Sequence, residues 1–507
     1  MKNRKWSLLL LLIAAVCLGS CTEWGQQDAP SGNQKKAADV DVSAKLMASF
    51  TFENDSIKSN QGAAGTLEGN AFTLSGGVAP VIEESNDTAH GKVLHLKGGY
   101  VAIKNPMQGL TNAVGASIVM WVKMPQEDLT SALVSFLGTS SDSIYFTGNA
   151  CLKYEGTGYL EVNNPSSYKT KDLSDAFWHN VAFSFTESGF SIYIDGTLKY
   201  DTGTHMSLSS GATRATSGFD YTNISSLIKA APYIYIGYGG PTNLKEAYVD
   251  DIKIYENAIT DKDVPKVSNS LVKPIWSNTF ENGVNDCQII GTGGIVTDAD
   301  SRFGKVFQNV GGALRTNYLL LPSGVLSHSV DSKELSIGFW VNASKAGASD
   351  DYAWAPLFMA YGAAPVSGAN TWPMLSCQYR GVLQINCSSW CDFTDAQNAK
   401  GANTLYNGTN DWLADHAWHY YTTVFTSTTA KVYIDGALAN EWDIDGISSG
   451  ATISGLFSNG GDLKYVCLGG NQAWSWGDND PGFAFDDVAI YNVALTADQI
   501  KLIISKK

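Results

Sequence analysis

Six short landmarks run through this chain in one order, and the same order then recurs. The first set is Phe52-Glu53-Asn54, Gly91-Lys92-Val93, Met120-Trp121-Val122, Trp178-His179, Tyr193-Ile194-Asp195-Gly196 and Val249-Asp250-Asp251-Ile252-Lys253-Ile254-Tyr255. The second is Phe280-Glu281-Asn282, Gly304-Lys305-Val306, Phe339-Trp340-Val341, Trp418-His419, Tyr433-Ile434-Asp435-Gly436 and Phe485-Asp486-Asp487-Val488-Ala489-Ile490-Tyr491. An ordered set that returns whole signals two homologous domains. Each copy spans more than 200 residues, enough to bury a core of its own.

The local pattern is that of antiparallel sheet. Apolar and polar residues alternate at 181–185, 191–194 and 431–434, as half-buried strands require. Asp195-Gly196 and Asp435-Gly436 follow aromatic and β-branched runs and read as hairpin turns. Aromatic residues make up 11% of the chain, glycine is frequent, and no long amphipathic helical pattern interrupts the strands, which suits β-sandwiches.

The landmark order resembles the LamG-like, concanavalin A-like jelly-roll family, in the version common in bacterial surface proteins. The resemblance covers 46–257 and 275–505, and its most telling pieces are the Trp-His strand, the Tyr-Ile-Asp-Gly hairpin and the closing Asp-Asp-x-x-x-Tyr. It implies an all-β protein of two tandem jelly-roll sandwiches, domain 1 over 45–265 and domain 2 over 274–507. It implies binding, often of glycans, more readily than catalysis, although the superfamily also holds glycanases.

The first residues carry Lys2, Arg4 and Lys5, an apolar run from Leu8 to Val16, and Leu18-Gly19-Ser20-Cys21. This reads as a lipoprotein signal over 1–20 with lipidation at Cys21, in a bacterial lipoprotein of the Bacteroidetes type. Two signals make such an anchor stable where one acyl chain holds only marginally. Residues 21–44 are polar and small and read as a flexible tether. Cleavage removes three positive charges and no acid, moving the net charge from −15 to −18. An anionic surface argues against nucleic acid as a partner. The expected location is the cell envelope, as an outer-membrane lipoprotein exposed at the surface.

Of eight cysteines, six lie beyond the lipobox: Cys151 in domain 1, and Cys287, Cys377, Cys387, Cys391 and Cys467 in domain 2. Five cannot all pair within one domain, and at most a local staple joins Cys377, Cys387 and Cys391. No CxxC pair with a nearby histidine suggests zinc.

His179 and His419 follow a tryptophan on a strand. No serine or cysteine sits in a recognisable elbow beside them, so they are expected to satisfy buried backbone groups. Asp195 and Asp435 are expected to cap their turns. The family resemblance implies that a structural calcium ion clips first strand to last, through Glu53 and Asp250 in domain 1 and Glu281 and Asp486 in domain 2. Strand alternation would point Asp251 and Asp487 to the other face. The competing explanation is an acidic pair that deters edge pairing.

The two copies differ where loops would carry function. Trp121 to Trp340 is 219 residues and Trp178 to Trp418 is 240, so domain 2 gains 21 residues between these strands. The enlarged region holds Trp354, Trp372, Trp390 and Trp412, where domain 1 has no tryptophan. Near the end, Gln472 to Asp480 replaces a plainer segment at 239–243. Indole rings stack on the C–H faces of sugars while amides and acids bond the hydroxyls. Trp474, Trp476 and Trp372, with Asp478, Asn479 and Gln472, are therefore the candidate carbohydrate site, against the alternative that these rings pack internally. Framework Trp121, Trp178, Trp340 and Trp418 belong to the core.

The expected function is non-catalytic glycan binding through domain 2, near polysaccharide-uptake proteins. A structural or adhesive envelope protein is the alternative. A glycoside hydrolase is the third reading, because Glu441-Trp442-Asp443-Ile444-Asp445 approaches the paired carboxylates of a retaining site.

Overall fold

The computed structural model describes residues 44–85, 87, 89–110, 115–139, 141–163, 172–202, 214–260, 263, 273–309, 312–313, 317–326, 332–343, 356–361, 375–378, 383–385, 392–393, 413, 415–443, 463–470, 479–480 and 482–507. Cys21, the segment 1–43 and the enlarged tryptophan loops lie outside them.

Both halves are antiparallel sandwiches with one strand order. In domain 1 the first layer runs Thr197–Asp201, Gly189–Ile194, Trp178–Thr186, Gly115–Lys123, Ala247–Glu256 and Lys92–Lys104. In domain 2 the counterpart runs Ala437–Asp443, Thr429–Ile434, His419–Phe425, Leu335–Asn342, Ala484–Tyr491 and Lys305–Gln308. The expected meeting of first and last strands occurs in each. Lys45–Phe50 pairs with Ala247–Glu256, placing Phe50 opposite Ile252, and Trp276–Asn278 pairs with Ala484–Tyr491, placing Asn278 opposite Val488.

The layers are joined differently. Lys92–Lys104 is long enough to serve both: Leu94 and Leu96 face the closing strand, while Val101 and Ile103 face Tyr233–Ile236. The bend falls at Gly98, whose φ of +67° only glycine adopts freely, and domain 1 becomes one 14-stranded sheet folded over its core. In domain 2 the same stretch is divided into Lys305–Gln308 and Tyr318–Leu320, so its layers are separate sheets of 8 and 7 strands.

Alternating side chains fill each interior. Leu94, Ile118, Val122, Phe146, Phe183, Ile192 and Ile254 lie in the core of domain 1, and Phe307, Ile337, Phe339, Tyr421, Val432, Phe485 and Ile490 in that of domain 2. Phe177 crosses the division. It precedes a domain 1 strand, yet it is buried in the domain 2 cluster beside Ile275 and Trp276. Backbone bonds fix it there: Trp178 N–H donates to Ile275 O at 2.9 Å, and Ile275 N–H donates to Ile490 O at 2.8 Å.

Trp121, Trp178 and Trp340 are buried as expected, and Trp418 is partly buried against Phe303. Cys151, Cys287, Cys377 and Cys467 are buried free thiols. Burial pushes the Cys377 thiol up to about 12.

Replacing Phe177 by alanine should destabilise domain 2 by about 3 kcal/mol, the usual cost of removing a buried phenyl ring. Native-state hydrogen exchange of the Leu335–Asn342 amides measures this, and unchanged protection there would refute the shared core.

Candidate functional site

Three clusters hold the chemistry visible in sequence, and a fourth was hidden. The first is the Trp-His strand. His179 Nδ1 lies 2.9 Å from Asp195 Oδ2 and its Nε2 lies 3.1 Å from Asp175 Oδ1. His419 repeats this with Asp435 at 2.7 Å and Asp415 at 3.1 Å. The partners are carboxylates rather than the backbone groups expected from sequence. Asp195 and Asp435 do more than cap a turn, because Asn180 N–H and Tyr420 N–H each donate to them at 2.9 Å across the hairpin. Both stand at φ near +50°, which an aspartate with local bonds tolerates.

Burial opposes charge on the His179 ring, but Asp175 and Asp195 overcome it and raise the pKa to about 10. The hydrogen bond that Asp435 accepts leads the upward shift at His419. His179 is a charged brace, and both nitrogens of each imidazole are engaged.

The second and third clusters surround the closing aspartates. The acidic pair lies on a strand inside the sheet, bonded to Gly115–Lys123 in domain 1 and to Leu335–Asn342 in domain 2, so the edge-deterrent explanation does not apply. The expected alternation also fails, for a local reason. The pairing slips at this point in both copies, and Asp251 and Asp487 take φ values of +48° and +45°. This bulge turns both carboxylates of each pair to one side.

In domain 1 that side holds Lys273, whose Nζ lies 2.5 Å from Asp250 Oδ2 and 3.0 Å from Asp251 Oδ2. In domain 2 it holds Lys507, at 2.6 Å from Asp486 Oδ2 and 3.1 Å from Asp487 Oδ2. The other Asp250 oxygen accepts from Asp251 N–H at 2.7 Å, and the other Asp486 oxygen from Asp487 N–H at 2.8 Å. Burial and the charge of Asp487 lift Asp486 to about 8 against the opposing pull of Lys507.

Glu53 and Glu281 pack against the glycine of the Gly-Lys-Val landmark. A Cβ on Gly91 would collide with Glu53 Oε1, and one on Gly304 with Glu281 Oε1. Lys305 N–H donates to Glu281 at 3.0 Å. Of the four residues chosen for calcium, Asp250 and Asp486 each lie against a lysine ammonium, whereas Glu53 and Glu281 lie against the glycines. As arranged the aspartates do not fit an ion: an ammonium nitrogen stands 2.5–3.1 Å from both carboxylates of each pair, and among the described residues no group of three or more His, Cys, Asp or Glu could hold a metal.

The fourth cluster is aromatic and lies on the outer surface of domain 1. Along Lys92–Lys104 and Tyr233–Ile236, Val101, Ile103, Ile234 and Ile236 turn inward, leaving Tyr100, Tyr233 and Tyr235 outward. Phe72 pairs with Tyr100 across strands and stacks on it at 5.0 Å, and Tyr100 stacks on Tyr238 at 4.4 Å. Tyr235 tilts against both at 5.6–6.1 Å. Phe72 is 45% and Tyr233 40% exposed, so the band is presented to solvent. Desolvation raises the Tyr100 and Tyr235 phenols, which stay neutral hydrogen-bonding groups. Sequence reasoning missed this band because its rings come from separated strands; the Tyr233-Ile-Tyr-Ile alternation was the available signal.

Trp372, Gln472, Trp474, Trp476 and Asp478 lie outside the described residues. Asn479 is placed only through its backbone, which pairs with Ala313. Of the hydrolase candidates, Glu441 sits opposite Lys431 with 3.3 Å between charges, and Asp445 is outside the described residues.

Comparison with known proteins follows this geometry. A family profile described as the concanavalin A-like lectin/glucanases superfamily matches residues 96–265 and 312–501, well over half the chain. The chain belongs to that superfamily, twice over. No curated protein matches it. Similar solved structures include domain 4 of AbnA, a GH43 extracellular arabinanase from Geobacillus stearothermophilus, in complex with arabinotriose. It has 18% identity and a TM-score of 0.33, and the match covers 44% of this chain and 98% of that one. The binding domain of botulinum neurotoxin DC, in complex with SialylT, has 12% identity and a TM-score of 0.36 over 84% of this chain and 98% of that one. Domains LG4-5 of the mouse laminin alpha1 chain have 11% identity and a TM-score of 0.21 over 84% and 91%.

His179 is charged up to about pH 10 in the folded chain, whereas an unfolded histidine releases its proton near 6.5. Its stabilising contribution should be complete below pH 6.5 and be lost as pH rises through about 10. His179→Gln should flatten that decline in the pH profile of unfolding free energy; a profile identical to wild type would contradict the brace.

Proposed function

We propose that this chain is a non-catalytic, glycan-binding lipoprotein of the cell envelope, anchored in the outer membrane through lipidated Cys21 and carried outward by the tether 21–44. The observation that supports it best is the solvent-facing aromatic band of domain 1, at Phe72, Tyr100, Tyr233, Tyr235 and Tyr238. Ring surfaces beside neutral phenol hydroxyls match the two-sided chemistry of a sugar, apolar on its C–H faces and polar at its rim. Domain 2 supplies the principal contact in this reading, through Trp474, Trp476 and Trp372 with Asp478, Asn479 and Gln472. Neighbouring polysaccharide-uptake proteins are the natural recipients of the captured glycan.

Binding is favoured over hydrolysis because the acid–base groups that sequence would nominate are engaged elsewhere. Both ring nitrogens of His179 and of His419 face carboxylates, and Glu441 is paired with Lys431. A second reading, adhesion to protein, is favoured by the strand Gly69–Glu84. It exposes Val78 at 57% and Val81 at 44% along with Phe72, an apolar face of the kind protein partners cover.

A glycan array on residues 22–507 tests the proposal. Binding should appear and should weaken about tenfold or more in Trp474→Ala/Trp476→Ala, the loss of roughly 1.4 kcal/mol expected for removed stacking. Tyr100→Ala should give a smaller loss on the same glycans. An array without signal, alongside capture of a protein partner abolished by Val78→Asp, would favour adhesion.

Glu441→Gln separates the hydrolase reading. No sugar release from a polysaccharide panel is expected from either the variant or the wild type. Release by the wild type that the variant loses would overturn the non-catalytic assignment.

A further inference from the structure

Two lysines far apart in the chain perform one task. Lys273 follows Asp250 by 23 residues and Lys507 follows Asp486 by 21. Each places its Nζ between the two carboxylates that a bulge has turned to one side, and each side chain is largely buried, at 8% and 16% exposure. The surroundings match as well. His90 stacks on Trp178 at 3.9 Å and meets Trp121 edge-on, while Phe303 stacks on Trp418 at 4.2 Å and meets Trp340 edge-on. Lys507 Nζ lies 5.1 Å from the Phe303 ring, a cation over an aromatic face.

We infer that each sandwich is closed by an internal lysine ammonium standing where the family resemblance implies a calcium ion, and that in domain 1 this lysine also locks the tandem together. Three observations carry this. The oxygens of Asp250 and Asp486 are all engaged, one by a backbone N–H and one by the ammonium, which at Asp250 Oδ2 is joined by His90 Nδ1 at 3.2 Å. The arrangement occurs twice, with the lysine supplied from different elements: the segment leading into domain 2 in one case, the end of the Ala497–Ile504 helix in the other. An uncompensated pair of buried carboxylates would be strongly unfavourable, so the cation is required by the fold.

The lock follows from where Lys273 sits. The next residues are already committed to domain 2, since Ile275 bonds Ile490 and Trp276 pairs with the same strand. The same short segment offers Pro274 O to His90 Nε2 at 3.3 Å and Ser277 Oγ to Asp87 Oδ1 at 2.5 Å. Asn492 of domain 2 donates to Asp195 of domain 1 at 3.1 Å. Residues 273–278 are therefore the clip of one sandwich and the first strand of the next.

Calorimetry and calcium titration of residues 22–507 test this. The wild type should melt at one temperature in millimolar calcium and in EDTA, within about 1 °C, because a ligand that does not bind the native state cannot shift it. It should show no stoichiometric calcium binding. Lys507→Met should lower the domain 2 transition by on the order of 10 °C, the effect of orphaning a buried charge in a domain this size. Adding Asp486→Asn should recover part of that loss. Lys273→Met should lower the domain 1 transition and split the melt into two. If either single variant fails to fold, the wild-type titration still decides. Stoichiometric calcium uptake with a rise in melting temperature, or a Lys507→Met variant as stable as wild type, would overturn the inference.

Discussion

Two adjacent aspartates on a strand in the middle of a sheet are the constraint from which much of this structure follows. To pair with neighbours on both sides, the closing strand must carry Asp250 and Asp251 out of water in domain 1, and Asp486 with a half-buried Asp487 in domain 2. Desolvation of that kind is tolerated only with a matched partner. The bulge that brings the two carboxylates to one side therefore has its counterpart in a lysine brought from elsewhere in the chain. Gly91 and Gly304, lacking a Cβ, leave room for the carboxylates of Glu53 and Glu281.

The same economy governs the histidine strand. His179 and His419 look catalytic in isolation, since each touches an aspartate as in a hydrolytic triad. What distinguishes them is the second aspartate, four residues back, on the other nitrogen. An imidazole held on both sides by carboxylates stays protonated and has no lone pair with which to accept a proton. In this chain the arrangement ties a hairpin to its neighbouring strand.

Much of the architecture was legible because it is periodic. The doubled landmarks, the alternation and the Asp-Gly turns gave two antiparallel β domains, and the family resemblance implied sandwiches with joined first and last strands. The closing aspartates were also legible: Asp250 and Asp486 stand out in the Asp-Asp-x-x-x-Tyr landmark. Their partner was not, because no spacing rule announces that Lys273 and Lys507 return to those aspartates. The orientation of Asp251 and Asp487 was missed because a bulge breaks the two-residue period on which the expectation rested. The aromatic band escaped for a related reason: Phe72, Tyr100, Tyr235 and Tyr238 become neighbours only through cross-strand register. Indole-rich loops announce themselves in sequence, whereas a platform assembled across strands does not.

The single long strand of domain 1 and its divided counterpart in domain 2 join the layers of the two sandwiches in different ways. In the first, Lys92–Lys104 passes through both layers, so sliding one layer over the other would strain a continuous ladder. In the second, Lys305–Gln308 and Tyr318–Leu320 belong to different sheets. Between them stands the buried Asn309, whose Nδ2–H donates to Gly469 O at 2.6 Å beside one sheet and whose Oδ1 accepts from Phe483 N–H at 2.6 Å beside the other. A duplicated fold thus couples its layers through a continuous backbone in one half and through an amide side chain in the other.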